Sequence, residues 1–496
     1  MLHKKILLYL VFFMLCGISI NAQEVDGWSL PDLLKSGRER SLQAFRAKRQ
    51  YALEYWRYRS FKSSLLPSLD LELEPFSYNR SFVERYDDDL NIDVYRQQQN
   101  LNSFARLSVN QNILLTGASV YLSSSFGRLV NYGENRLQSY NITPVRLGIV
   151  QPIMAFNALK WQKKTAMLEL EKAKKEYIVN QQEINMHTVS LFFQWALAST
   201  KVDIAQENKK AAARLYKIGK KRYDLGSIEK DELLNLELEN FTSATTLTRY
   251  EQDLETIVSD LKLFLNLKNL PEHSPPLPEM IPNLKIGLEE AQHLAKQNNP
   301  DLLDIQIQEI HADRDLDEAI KNNRFNLSVN ASFGLNQQAE HFENAYGHFL
   351  DQQIVAIQFR MPIVDWGERK GNIKMAKMTR ELADIQVEQD RNDVSRNLRL
   401  AVANFNLQEE QVLAALRARN IAQESYQITE KRFLSGQVDV LRLTSARSAR
   451  QTATEQYIQS LQLYWEYYYQ VQQITLYNFI KGTPLSEDFD QLLKID

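Results

Sequence analysis

The 496-residue sequence predicts a mainly helical protein with amphipathic β-strands, built from two internal repeats. Each repeat is expected to contain a β-hairpin, one long helix and two shorter helices stacked end to end. Three observations predict this fold class. A stretch around Gly226 recurs 210 residues later around Gly436, the ranges 153–270 and 363–483 contain no proline, and several short segments alternate apolar and polar residues.

Residues 1–22 predict a secretory signal peptide. Two lysines precede an apolar run, Ile6–Leu15, and Ala22 is the small residue that signal peptidase requires. The only cysteine, Cys16, is not preceded by the small side chains typical of a lipidated cysteine. We therefore expect an exported mature chain with no thiol chemistry and no transmembrane helix. The formal net charge of -3 gives no indication of a nucleic-acid partner.

The first repeat is predicted to span residues 23–275. It begins with a helix over 28–63 and continues with strands within 65–151, where Leu69–Glu74 alternates strictly. Long helices over 155–225 and 228–268 follow. Their boundary lies at Gly226, because glycine favours the left-handed conformation that ends a helix.

The second repeat, residues 276–496, follows a connector with five prolines at 270–282. It is predicted to contain a helix over 286–322, strands within 325–361, and long helices over 367–434 and 438–481. Its first strand also alternates over Phe325–Phe333.

The first repeat is longer than the second by 48 residues between its first strand and its long helix. Within this excess, the segments 104–113 and 118–126 alternate and predict an additional hairpin. The polar stretch 78–102 is interpreted as a loop. We expect the excess to lie outside the helical scaffold, where insertions are tolerated best.

The lengths of the predicted helices indicate how they pack. A helix of roughly 70 residues is about 100 Å long, too long to close around a compact core. Such helices need lateral neighbours, as in a coiled coil or a barrel of helices. Strands that alternate apolar with polar residues on an exported chain suit a membrane barrel. Because four core strands are too few to close one, copies of the chain must share it.

The exported chain, its strand pairs, its long helices and its repeated Arg-Tyr/Phe-x-x-Gly turns together resemble a TolC-type outer-membrane efflux protein. The resemblance covers essentially the whole mature chain. It implies a homotrimer with a shared 12-stranded β-barrel in the outer membrane and a helical barrel in the periplasm. It also implies a passive exit duct that docks a periplasmic adaptor and an inner-membrane pump, with neither catalysis nor cofactor.

The resemblance assigns the docking of the adaptor to the two turns at the periplasmic tips. The residues implied are Arg222, Tyr223, Leu225, Gly226, Arg432, Phe433, Leu434, Ser435 and Gly436. The best-known members carry a ring of acidic residues six and nine positions after the second glycine. The matching positions here are Arg442 and Ser445, and Arg442 has the opposite charge.

Acidic residues close to the turns are the remaining candidates for a gate at the pore entrance, namely Glu229, Asp231, Glu232 and Asp439. We expect opposite charges to pair across neighbouring tips and to hold the entrance closed. The acids that follow Gly226 have an equally good alternative role, because acidic residues favour the start of a helix.

The sequence contains no motif that indicates a catalytic, cofactor-binding or metal site. Two other protein classes remain open. A periplasmic coiled-coil scaffold or adaptor explains the helices but leaves the amphipathic strands without a purpose. A plain porin explains only the strands. Extraction distinguishes them, since a membrane duct requires detergent and a scaffold does not.

Overall fold

The computed structural model describes residues 28–87, 91–132, 136–268, 274–278 and 281–494. The predicted signal peptide, with Cys16, lies outside these ranges. The chain forms two compact units, which are described separately. The tip unit contains both glycine turns and comprises the described residues up to Phe45 and those within Gln181–Ile286 and Ala403–Val471. The sheet unit comprises Arg46–Asn180, Gly287–Val402 and the chain from Gln472 onwards.

The sheet unit is organised around one antiparallel sheet of six strands, each paired with the next along the chain. The strands are β1 (Ser68–Asp87), β2 (Ile92–Asn112), β3 (Ser119–Tyr132), β4 (Leu137–Ile153), β5 (Asn326–Ala339) and β6 (Leu350–Arg360). The four predicted core strands are present as β1, β4, β5 and β6, and the predicted additional hairpin is present as β2 and β3, so the hairpin raises the number of strands in this sheet from four to six. The added hairpin, β2 and β3, is hydrogen-bonded between β1 and β4.

The interpretation of residues 78–102 as a polar loop is wrong. Apart from residues 88–90, which lie outside the described ranges, β1 and β2 occupy this segment and pair in register from Tyr78↔Leu101 to Asp87↔Ile92, after a register shift between Glu74 and Ser77. Cross-strand hydrogen bonds satisfy the main chain here, so a strand that exposes both faces needs no apolar alternation. Polar composition alone was a poor guide to its conformation.

The helices that precede the strands are broken, whereas the sequence predicted continuous ones. The predicted helix 28–63 divides into α1 (Leu30–Arg40) and α2 (Leu42–Ser64). Between them Ser41 is extended, and its hydroxyl accepts a hydrogen bond from the Ala44 amide at 3.1 Å. Capping by a side chain thus competes with continuation of the helix.

The predicted helix 286–322 is broken in the same way. It divides into α5 (Leu288–Asn298) and α6 (Pro300–Asn322). Asn299 caps α6 by accepting from the Asp301 amide at 2.7 Å. Pro300 lacks an amide hydrogen and therefore occupies the first turn of α6 at no cost.

The two longest helices, α3 (Ala158–Asp224) and α7 (Glu368–Leu434), each contain 67 residues and pass through both units. Each is followed by a helix of 36 residues, α4 (Lys230–Leu265) or α8 (Val440–Thr475). α8 ends before the predicted residue 481, because Leu476 adopts a left-handed φ of 49°. None of the described helices is both long and apolar enough to cross a membrane.

Each unit has its own buried side chains. In the sheet unit, Tyr51 on α2 packs with Tyr177 on α3 and with Phe489 of the short helix α9 (Phe489–Leu492). α9 follows a small pair of strands, β7 (Tyr477–Asn478) and β8 (Thr483–Pro484). In the tip unit, Phe405 on α7 packs against Tyr464 on α8 with ring centroids 5.2 Å apart.

Candidate functional site

The two predicted turns have the same main-chain geometry. Gly226 has a φ of 71° and Gly436 a φ of 78°, both left-handed. In the first turn, the Ser227 amide donates to the Arg222 carbonyl at 2.8 Å and the Gly226 amide to the Tyr223 carbonyl at 2.8 Å. The second turn repeats both bonds at 2.9 and 3.0 Å. This pattern is the Schellman motif, which satisfies the last carbonyls of a helix.

The tip unit brings the two turns together. Phe433 is 5% exposed and belongs to an apolar cluster with Leu215, Leu236, Tyr426 and Leu443, drawn from all four helices that meet here. Gly219 permits this packing, since a Cβ at that position would lie 2.3 Å from Leu236 Cδ1. The turns that lie far apart in sequence therefore form one surface.

Arg222 links the first turn to the second. Its guanidinium donates to the Leu434 carbonyl at 3.4 Å and lies 5.9 Å from the centroid of the Phe433 ring. The contact joins the end of α3 to the end of α7, so the relative position of the turns depends on a side chain that was assigned to docking. The equivalent Arg432 is exposed.

Most of the predicted docking residues are accessible, and several are apolar. Leu225 is 80% exposed, whereas Tyr223 and Leu434 are partly exposed. Leu441, in the first turn of α8, is 77% exposed and extends the apolar surface. Phe433 is the exception, because its ring is buried in the apolar cluster and packs the second turn against it.

Two of the predicted gate acids, Glu232 and Asp439, line a cavity of about 510 Å³ between the turns, together with Arg222. Asp439 is the N-cap of α8 and accepts from the Arg442 amide at 2.8 Å. Asp231 and Glu232 lie in the first turn of α4, after Glu229. Within the described ranges none of these acids forms an ion pair, and Arg442 and Ser445 are exposed on α8.

The model of a known family matches most of the chain. The matched residues are 34–267 and 291–478, and the family is described as "Outer membrane efflux protein". The chain belongs to this family. The resemblance to TolC-type proteins inferred from the turns and helices is thereby confirmed.

Solved structures of outer-membrane channels share the fold of this outer membrane efflux protein. The Campylobacter jejuni CmeC outer membrane channel is 14% identical, with a TM-score of 0.66 over 94% of this chain and 88% of that one. The Vibrio cholerae outer membrane protein VceC is 12% identical, with a TM-score of 0.62 over 92% and 97%. The open state of the Neisseria gonorrhoeae MtrE channel is 14% identical, with a TM-score of 0.58 over 93% and 90%. Among curated proteins, none matches this chain.

Two ion pairs in the tip unit of this family member were missed from the sequence. Arg447 on α8 contacts Glu239 on α4 at 2.7 Å, and its side chain is only 6% exposed. Arg450 contacts Glu207 on α3 at 3.2 Å and lies 4.4 Å from the centroid of the Tyr426 ring. Both arginines continue the helical stripe that begins with the buried Leu443. A charged residue on such a stripe needs a partner, and this signal was available in the sequence.

The described residues contain no group of three histidine, cysteine, aspartate or glutamate side chains that is able to hold a metal ion. The tip itself presents exposed apolar side chains, acidic residues and two turns of the same main-chain geometry.

Proposed function

We propose that this outer membrane efflux protein is the passive exit duct of a tripartite efflux or secretion system. It functions as a homotrimer with a membrane β-barrel shared between copies. Its long helices lie in the periplasm, where an adaptor and an inner-membrane pump dock through the tip turns. Membership of the family supports the role in efflux, and the sheet supports the shared barrel.

The observation that carries this proposal is the sheet with two open edges and an exposed apolar face. On β1, Leu69 is 67% exposed. It begins a segment in which apolar residues alternate with acidic ones such as Asp70 and Glu72. On β6, Val355 and Ile357 are also exposed. Among the described strands, β1 and β6 have no partner on their outer sides. Open edges are a hazard in a soluble protein, whereas a barrel closed by further copies removes them.

Extraction and electrophysiology test the duct. We expect the protein to leave the membrane only in detergent, to have the mass of three chains by native mass spectrometry, and to conduct ions in planar bilayers. A periplasmic scaffold would be released without detergent and would not conduct. A folded monomer in mild detergent would contradict the proposal, because one copy cannot close the barrel.

Photocrosslinking tests the docking site. A photoreactive amino acid at Leu225, on the first turn, should crosslink in intact cells to a periplasmic adaptor, identified by mass spectrometry. The matched control is Leu263, which is 74% exposed but lies near the opposite end of α4. Equal crosslinking from both positions would refute a docking site confined to the turns.

The charges at the tip are proposed to hold the entrance closed. Glu232 and Asp439 border the cavity between the turns, and Arg222 on the first turn already contacts the Leu434 carbonyl of the second. Exposed ion pairs contribute only about 0–1 kcal/mol each, but threefold repetition would couple several of them into one ring. Glu229, Asp231, Arg442 and Ser445 would belong to the same ring.

Single-channel conductance tests this gate, provided that the variants remove charge without removing the cap of α8. Because Asp439 caps α8, its replacement by alanine would disturb the helix as well as the charge. The pair Glu232→Gln with Asp439→Ser retains a side chain able to cap and removes both charges. This variant should raise the single-channel conductance of the trimer. Unchanged conductance would show that packing of Tyr223, Leu225, Phe433 and Leu434 sets the constriction.

A further inference from the structure

The hairpin β2–β3 has one apolar face and one polar face, and each continues the corresponding face of the neighbouring strands. Leu69 on β1 lies opposite Val109 on β2, which lies opposite Leu122 on β3; the row then continues through Leu147 on β4 to Phe333 on β5. Directly opposed residues point to the same face of a sheet. In this row the apolar face therefore continues across the hairpin from β1 to β5.

The adjacent row forms the opposite, polar face. It contains Asp70, Ser108, Ser123 and Arg146, one on each of the first four strands. Gly334 on β5 comes next, and across it the Arg146 guanidinium donates to the side-chain oxygen Oε1 of Gln352 on β6 at 2.6 Å. The lack of a side chain at Gly334 makes this approach possible, since a Cβ there would lie 2.6 Å from the Val145 carbonyl oxygen.

We propose that β2 and β3 are part of the barrel wall, so that each copy contributes six strands and the trimer has an eighteen-stranded barrel. β6 of one copy pairs with β1 of the next. This inference rests on the proposed homotrimer. It departs from the twelve strands implied by the resemblance, which counts four strands per copy.

The stagger of the six strands is consistent with closure. The row that starts at Ser68, the first residue of β1, passes through Asn110, Tyr121, Gly148 and Ser332 to reach Ile354 on β6. Ile354 lies six residues before Arg360, the last residue of β6. If Ser68 of the next copy lies beside Arg360, the stagger is six residues per copy and eighteen per trimer.

A stagger of one residue per strand corresponds to a definite tilt. With a rise of about 3.3 Å per residue and a spacing of about 4.8 Å between strands, the strands tilt by roughly 35°. This value lies in the range of about 35–45° found for membrane barrels. Because diameter grows roughly linearly with strand number, the barrel is about 1.5-fold wider than one of twelve strands.

Disulfide formation between engineered cysteines tests the place of the hairpin. The predicted mature chain contains no cysteine, so pairs are introduced without background. Asp70→Cys with Ser108→Cys, and Ser123→Cys with Arg146→Cys, join directly opposed residues and should form disulfides. The matched control, Asp70→Cys with Arg146→Cys, spans three strand spacings of about 14 Å and should stay reduced.

Electron cryo-microscopy of the full-length wild-type protein in nanodiscs gives a second readout that does not depend on variants. A trimer with eighteen strands supports the inference. A trimer with twelve strands and a hairpin outside the barrel wall overturns the inference. A disulfide in the control pair, with both test pairs reduced, also overturns it. Neither result contradicts the proposed duct. A particle that is not trimeric overturns the proposed function as well as the inference.

Discussion

Replacing the glycine of a tip turn should destabilise the turn, and the cost of the left-handed backbone can be separated from the cost of steric contact. At Gly226 an added Cβ would meet no atom within 4 Å, so steric contact contributes nothing. The remaining cost is that of a left-handed φ of 71°, about 1–2 kcal/mol for a residue with a Cβ. Gly226→Ala should therefore weaken the end of α3 by this amount and leave the apolar cluster beneath the turn in place.

Hydrogen exchange measures this local cost directly. Because about 1.4 kcal/mol corresponds to a tenfold change in an equilibrium constant, the amides of Gly226 and Ser227 should exchange roughly 5- to 30-fold faster in Gly226→Ala. Gly436→Ala repeats the test in the second turn. Gly371 is the control, since it is helical and equally free of contacts, so Gly371→Ala should slow local exchange. Unchanged exchange at Gly226→Ala would refute the reasoning.

Three further predictions concern other parts of the chain. Glu239→Gln should leave the buried Arg447 poorly paired, lower the free energy of unfolding by about 1–3 kcal/mol and so lower the thermal midpoint in detergent. The control Glu237→Gln, on the same helix, should have little effect on the midpoint. Burial lowers the pKa of His187, whose ring packs against Phe264. The free energy of unfolding should therefore decrease as the pH falls below 6.5, the ordinary pKa of histidine, and His187→Phe should remove this contribution. Protease added to intact cells should cleave at the turn between β1 and β2, near Asn91, before any helix; cleavage only in permeabilised cells would contradict an outer-face location.

The sequence predicted the features that follow from helix breakers and from periodicity. Gly226 and Gly436 were located as turns because only glycine readily accepts the left-handed conformation that ends a long helix. The breaks at Ser41 and Asn299 were missed because serine and asparagine stop a helix only when they cap the next one. The strands through residues 78–102 were missed because cross-strand pairing, and not composition, determines their conformation.

Partners of side chains were the least predictable feature of the tip. Arg222 was recognised as a tip residue, but its contact with the Leu434 carbonyl joins positions 212 residues apart. Asp439 was recognised as an acid near the second turn, whereas its bond to the Arg442 amide is a local cap. A sequence records which charges are present near a turn, but packing determines whether each charge meets another charge or the main chain.

The two tip turns keep their shape through main-chain hydrogen bonds and one glycine each, and this has an evolutionary consequence. Their side chains have already diverged, since Leu225 corresponds to Ser435 and the exposed Tyr223 to the buried Phe433. Because both side chains are exposed, mutations at Leu225 or Ser435 should alter the surface of the tip without a large penalty in folding. If the proposed docking at these turns holds, the fold separates the evolution of partner choice from the maintenance of the helices, and a few substitutions at the tips would suffice to exchange one partner for another.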